Sequence, residues 1–291
     1  MPQPVRHVLA QKYIGGRGPQ DDEKFAASLL NAINTEQNFL VRPFIGRRRL
    51  PPSARPMRNF SLRNFPLHLD QIEELGLPVN DYAMAMADTL AFLHWGAVVD
   101  GKDVEFVLAR PRSPLLQSSS SARPAQIGSE PFSSEGVCGE HAMWLLDFDL
   151  CNKMAMPGAM VMSDGGETAQ TETAFLEAAA AGFWGNDPWY PRPLLGRHTN
   201  GNGNGDGNNS NDNHDAGSEH HLADGQLWKK FKGRYLETSQ QILEGKEEGE
   251  EQMEKEWPGR VMDLIERMRW SNGGKLVYLE ENGRVTALVD D

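Results

Sequence analysis

The chain has 291 residues, enough for one large domain or two small ones, of which 39% are hydrophobic and 24% charged. Its formal net charge of −12 excludes a general attraction for nucleic acid or an anionic membrane, so neither is expected as a partner. The two cysteines, Cys138 and Cys151, exclude a disulfide framework, and no apolar run approaches the ~20 residues that span a bilayer.

Residues 5–14 and 22–34 read as short helices, the second opened by Asp21 and Asp22 where carboxylates suit the helix dipole. The first sixteen residues lack a basic-then-apolar signal pattern, so an intracellular place, cytoplasm or nucleus, is expected. Residues Asn38–Arg49 mix β-branched and aromatic residues with arginines and predict a strand or edge hairpin. The basic run Arg47-Arg48-Arg49 is too short for nucleic acid and reads as a strand end or a contact for acidic partners. Pro51, Pro52 and Pro56 interrupt the chain before an extended stretch over residues 60–69. A helical turn follows from Leu69 to Leu75, stopped by Gly76 and Pro78.

The strongest helix starts with Asn80 as its expected cap and places Tyr82, Met86, Leu90 and Leu93 at helical spacing. Ala83, Ala87 and Ala91 beside them predict close packing on a neighbouring element. The helix should end near Trp95-Gly96, with His94 facing its last carbonyls. Residues 104–109 read as a buried strand, residues 111–136 as a Ser- and Pro-rich disordered insert, and residues 142–150 as a second strand. The two strands would pair as a hairpin with Asp147 inside the second.

Residues 171–182 form an alanine-rich helix, and the rigid aromatic segment Asn186–Pro193 should pack a loop onto the helical body. Residues 199–221, rich in Asn, Gly, Asp and His, read as a low-complexity linker. Leu227–Leu243 is an amphipathic helix carrying Trp228, Phe231, Tyr235 and Leu236, followed by a solvated acidic stretch over residues 244–256. Pro258 suits the first turn of a last helix, Val261–Trp270. Lys275–Val289 predicts a hairpin with a type I′ turn at Asn282-Gly283. Cys138, His141 and Cys151 do not make a zinc site, which wants four ligands in close pairs.

The order of long helix, loop with Asp100, strand, strand with Asp147 and further helices resembles the C-terminal lobe of protein kinases and aminoglycoside phosphotransferases. Kinases carry Asp-x-Lys-x-x-Asn after the helix; this chain has Asp100-Gly101-Lys102-Asp103-Val104-Glu105. Small-molecule phosphotransferases carry an Asp-Phe/Trp-Asp/Glu metal motif; here it is Asp147-Phe148-Asp149. The resemblance implies Asp100 as catalytic base, Lys102 as a γ-phosphate contact, and Asp147 and Glu105 as metal ligands, with Mg²⁺ and ATP as cofactors of an active form. Three parts of that pattern are missing. Val98-Val99 replaces the basic residues before the base, residues 1–66 contain no Gly-rich phosphate loop, and no lysine stands in an apolar strand there.

A second set of motifs runs through the chain: Arg63-Asn64-Phe65-Pro66-Leu67, Asp70-Gln71-Ile72-Glu73-Glu74-Leu75-Gly76, Leu93-His94-Trp95, Trp144-Leu145-Leu146-Asp147-Phe148 and Asn186–Pro193. Together they resemble a family of fungal proteins sharing a domain of unknown function (3669), from about Asn38 to about Leu243. Members of that family are sometimes labelled zinc-finger proteins, and it implies no established activity. The combined expectation is an α+β fold: a kinase-like helical C-lobe with a short β-hairpin over residues 67–243, interrupted by inserts 111–136 and 199–221. A reduced N-terminal region, 1–66, precedes it; an acidic linker, helix and C-terminal hairpin, 244–291, follow. The missing loop and lysine favour an interaction module with a protein partner over a divergent Mg²⁺-dependent phosphotransferase acting on a small molecule.

Overall fold

A computed structural model describes residues 40–49, 64–109, 111, 131–133, 140–163, 166–193, 214–245, 255–270, 276–279 and 285–287. The helices expected over 5–14 and 22–34 lie outside these residues, as do most of the insert at 111–136 and of the acidic stretch.

The fold is mixed α+β. Strand β1 (Val41–Phe44) runs parallel to β2 (Phe65–His68), with Val41 opposite Phe65. On its other side β1 meets β3 (Glu105–Ala109) antiparallel, and β3 pairs antiparallel with β4 (Ala142–Leu146), giving the sheet order β2-β1-β3-β4. The expected hairpin of the two apolar strands is present, with Glu105 opposite Leu146. Its second strand is shorter than expected: β4 stops at Leu146, and Asp147 lies outside it in the left-handed region at φ 58°. A second hairpin, β5 (Met160–Ser163) with β6 (Gly166–Ala169), follows; its exposed methionines and short strands carry no clear alternation.

Helix α1 (Leu69–Glu74) and helix α2 (Val79–Ala91) follow β2. Asn80 is not the cap of α2; Pro78 holds that position and Asn80 lies within the first turn. The predicted face is buried as a unit: Tyr82, Ala83, Met86, Ala87, Leu90 and Ala91 are all inaccessible. Their partner is helix α4 (His214–Glu244), which contributes Leu227, Trp228, Phe231 and Tyr235. The small residues let the two helix backbones approach, and Arg234 clamps the pair through both oxygens of Asp88, at 2.7 and 3.1 Å. Helix α4 begins at His214, so the linker expected over 199–221 is helical at its C-terminal end.

Helix α3 (Glu172–Gly185) is capped by the Thr171 hydroxyl, which accepts from Ala174 N. It packs against helix α5 (Trp257–Arg267), where Phe175 faces Trp257 with ring centroids 5.3 Å apart. Pro258 sits in the first turn of α5 as predicted, but the helix yields at Met268 to strand β7 (Met268–Trp270). That strand pairs with β8 (Leu276–Leu279), which pairs with β9 (Val285–Ala287). The Asn282-Gly283 turn lies outside the described residues. The register Leu279 to Val285 leaves an odd number of residues between the strands, whereas a bulge-free two-residue turn leaves an even one.

The segment Asn186–Pro193 packs as predicted. Tyr190 is fully buried and stacks on Phe183 at 5.2 Å, and Trp189 meets Phe44 edge-on at 4.8 Å. Pro188, after a cis peptide bond, accepts a hydrogen bond from Gly46 N (2.9 Å). The arginine run is spent within the chain: Arg47 pairs with Asp187, Arg48 with Glu73 and Asp224, and Arg49 with Asp70 and Glu74. Opposing carboxylates hold Arg48 well above the usual guanidinium range despite the cost of its burial.

Candidate functional site

Helix α2 passes through a turn of π-helix, Phe92–Gly96, into the loop that carries Asp100. Widening the last turn swings the chain across the end of the hairpin, where Val99 bridges Lys153 and Asp100 N donates to Asn152 O (3.0 Å). Asp100 is only 8% exposed. Its Oδ1 accepts from Lys102 N (3.0 Å) and Asn152 N (2.9 Å), and its Oδ2 from Asn152 Nδ2 (3.1 Å). Three donors therefore hold both oxygens of this carboxylate. The other side of the loop is held by Asn186, whose Nδ2 donates to Gly101 O and whose Oδ1 accepts from Asp103 N, each at 2.5 Å. Gly182 of α3 lies directly under the loop; any Cβ there would overlap the Asp100 carbonyl.

The other predicted site residues occupy different settings. Lys102 is exposed, and its carbonyl accepts from Cys151 Sγ (3.3 Å). Glu105 lies in β3 and is paired with Arg42 of β1 at 2.6 Å. Asp147 is exposed and does not meet Arg192, which pairs with Asp187 instead. Asp100 and Asp147 both lie near enough to Cys151 for their charges to act on its thiol. Burial raises the Cys151 thiol pKa, and the charges of Asp100, Asp103 and Asp147 raise it further. No group of three or more His, Cys, Asp or Glu among the described residues is placed to hold a metal ion.

Beneath the loop, His94 does not reach the helix carbonyls. It is fully buried, and its Nδ1 lies 2.9 Å from the Tyr235 hydroxyl, which also accepts from Trp95 Nε1 at 2.9 Å. The direction of the bond between Tyr235 and His94 Nδ1 follows the imidazole tautomer. Burial pushes the imidazole down to about 4, against the weaker pull of Asp100. This histidine is neutral through the physiological range and joins α2 to α4.

Backbone strain gathers around the same two loops. Val98, Asp103 and Asp147 all adopt positive φ, at 56°, 63° and 58°. For the β-branched Val98 this conformation is a genuine outlier. The residues that define the site but were not predicted for it are Asn152 and Asn186. Asn152 has no motif around it, and Asn186 is hidden among the aromatic residues whose packing dominates its segment. A catalytic base needs an accessible lone pair within reach of the proton it takes. Asp100 directs both oxygens inward, whereas Asp147 keeps a solvent-facing carboxylate.

The family model for domain of unknown function 3669, described as zinc finger protein, matches residues 143–202, less than half of the chain. The matched segment holds one cysteine, Cys151, and one histidine, His198. That donor set does not fit a structural zinc site, which takes four nitrogen or sulfur ligands. No curated protein and no solved structure matches the chain. Among the described residues no helix is long and apolar enough to cross a membrane.

Proposed function

We propose that the chain is a protein-interaction module built on a degenerate kinase-like C-lobe, with the positions of the ancestral catalytic residues turned to structural use. The observation that carries this reading is Asp100, whose two carboxylate oxygens are held by Lys102 N and by the main and side chains of Asn152. Glu105 supports it from the other strand, because its charge is matched by Arg42 rather than left for a cation. The surface offered to a protein partner is the tip that follows β4. Leu146, Phe148 and Leu150 are 37%, 51% and 56% exposed there, alternating with Asp147 and Asp149. Large apolar side chains gathered at one exposed turn mark an interaction surface.

A second reading, a divergent Mg²⁺-dependent phosphotransferase acting on a small molecule, draws on the nearness of both Asp100 and Asp147 to Cys151. A thermal-shift titration of the full chain with ATP or GTP, with and without Mg²⁺ or Mn²⁺, separates the two. A ligand bound only by the native state at 100-fold over its Kd adds about 2.7 kcal/mol of stability. The interaction-module reading expects no shift at millimolar nucleotide. A metal-dependent shift that disappears in Asp147→Ala overturns it in favour of the phosphotransferase.

A further inference from the structure

Between the end of β1 and the segment Pro191–Pro193 lies a cavity of about 90 Å³, walled on the other side by Leu69, Asp224 and Leu227. Three arginines line it: Arg47, Arg48 and Arg192. They are not equivalent. Arg47 stands at the mouth with 58% of its side chain exposed, whereas Arg48 and Arg192 are 19% and 18% exposed. Arg48 is matched by two carboxylates, Glu73 and Asp224. Arg47 and Arg192 share one, Asp187. The three arginines and three carboxylates balance overall, and the excess positive charge is confined to the side of Arg47 and Arg192.

Arg192 is also held in place without being satisfied. Its guanidinium lies over the Trp184 ring at 4.5 Å and over Phe183 at 5.3 Å. Its Nη2 is 2.6 Å from Asp187 Oδ1, while its Nη1 is buried without a hydrogen-bond acceptor. A buried guanidinium nitrogen without an acceptor is a costly arrangement, and its planar fork matches an oxyanion. The rings and Asp187 hold the fork rigid beforehand, so little freedom is lost when a ligand arrives.

We propose that this cavity binds a single tetrahedral oxyanion, a phosphate group, with Arg192 as its principal donor and Arg47 closing the mouth. The volume admits one such group and no attached ring. Free phosphate enters whole; a phosphate monoester enters with its ester carbon directed out past Arg47. Asp224 remains on Arg48, where Glu73 shares the charge. The strongly negative chain does not draw anions over long range, so the affinity comes from this local arrangement and is modest.

The test is a thermal-shift titration of the full chain with inorganic phosphate, against chloride at matched ionic strength. At a Kd of about 1 mM, 10 mM phosphate raises the folding equilibrium constant about tenfold and Tm by about 3–5 °C, with no comparable rise in chloride. Arg192→Lys keeps the charge and loses the fork, and should lose most of the shift. If that variant does not fold, Arg47→Gln at the exposed mouth serves instead and should reduce the shift at least threefold. A parallel titration with glycerol phosphate decides the source: a shift equal to that of phosphate supports an ester ligand, and a shift from phosphate alone supports the free ion. No phosphate-specific shift in the wild type, or the same shift in both arginine variants, overturns the proposal.

Discussion

Asp100 and Asp147 are the same residue type, assigned neighbouring tasks by the same resemblance, and the fold treats them in opposite ways. Asp100 is buried, bonded through both oxygens and packed against α3 at Gly182. Asp147 projects from a left-handed turn beside exposed Phe148. The difference shows that a carboxylate's role follows from how many of its lone pairs the surrounding chain already occupies. Burial is tolerable for Asp100 only because Asn152 and Lys102 N replace the water it loses.

The contrast can be broken from the buried side first. Gly182→Ala drives a Cβ into the Asp100 carbonyl, and two backbones cannot both give way cheaply; a loss of about 3 kcal/mol in urea unfolding is expected. A loss below about 1 kcal/mol would mean that the loop is not held against α3. The acid limb tests the layer beneath. His94 binds its proton at about 4 when folded and 6.5 when unfolded, so the unfolded chain takes up more protons between those values. Stability should be complete above about pH 6.5 and fall by about 3 kcal/mol as the pH drops to about 4. His94→Asn, which keeps a hydrogen-bonding group for Tyr235, should flatten that limb; an unchanged limb would assign it to carboxylates instead.

Asp100→Ala leaves three donors without their acceptor and should cost about 2 kcal/mol by chemical denaturation. Asp147→Ala, at an exposed site, should change stability by less than about 0.5 kcal/mol. Equal losses at the two positions would erase the distinction between them.

Much of the architecture was legible because local pattern and burial agree. The Tyr82-Met86-Leu90 stripe with its alanines forms a helix of the predicted face, and the apolar run at 104–109 forms an inner strand of the four-strand sheet. The boundaries were less legible where an element continues past its apolar face. Helix α4 reaches back to His214, well before the predicted amphipathic face that begins at Leu227. The end of β4 was misplaced for a related reason: Asp147-Phe148-Asp149 keeps the alternation of a strand while its backbone leaves the sheet.

The sequence by itself determined the acidic charge, the amphipathic helices and the packing role of the aromatic segment, because each is a property of composition or of spacing along one element. It also placed Asp100 just past a helix, but it put Asp147 inside a strand that the structure ends at Leu146. Only the tertiary structure decided what those carboxylates do. Two of the three donors that hold Asp100 come from Asn152, 52 positions away, and Asn186 braces the same loop from 85 positions beyond Gly101. The Arg42–Glu105 pair and the arginine-lined cavity likewise join segments distant in the chain. A single residue type does not announce such partners, since a hydrogen bond depends on where the fold delivers the donor and not on the separation along the chain.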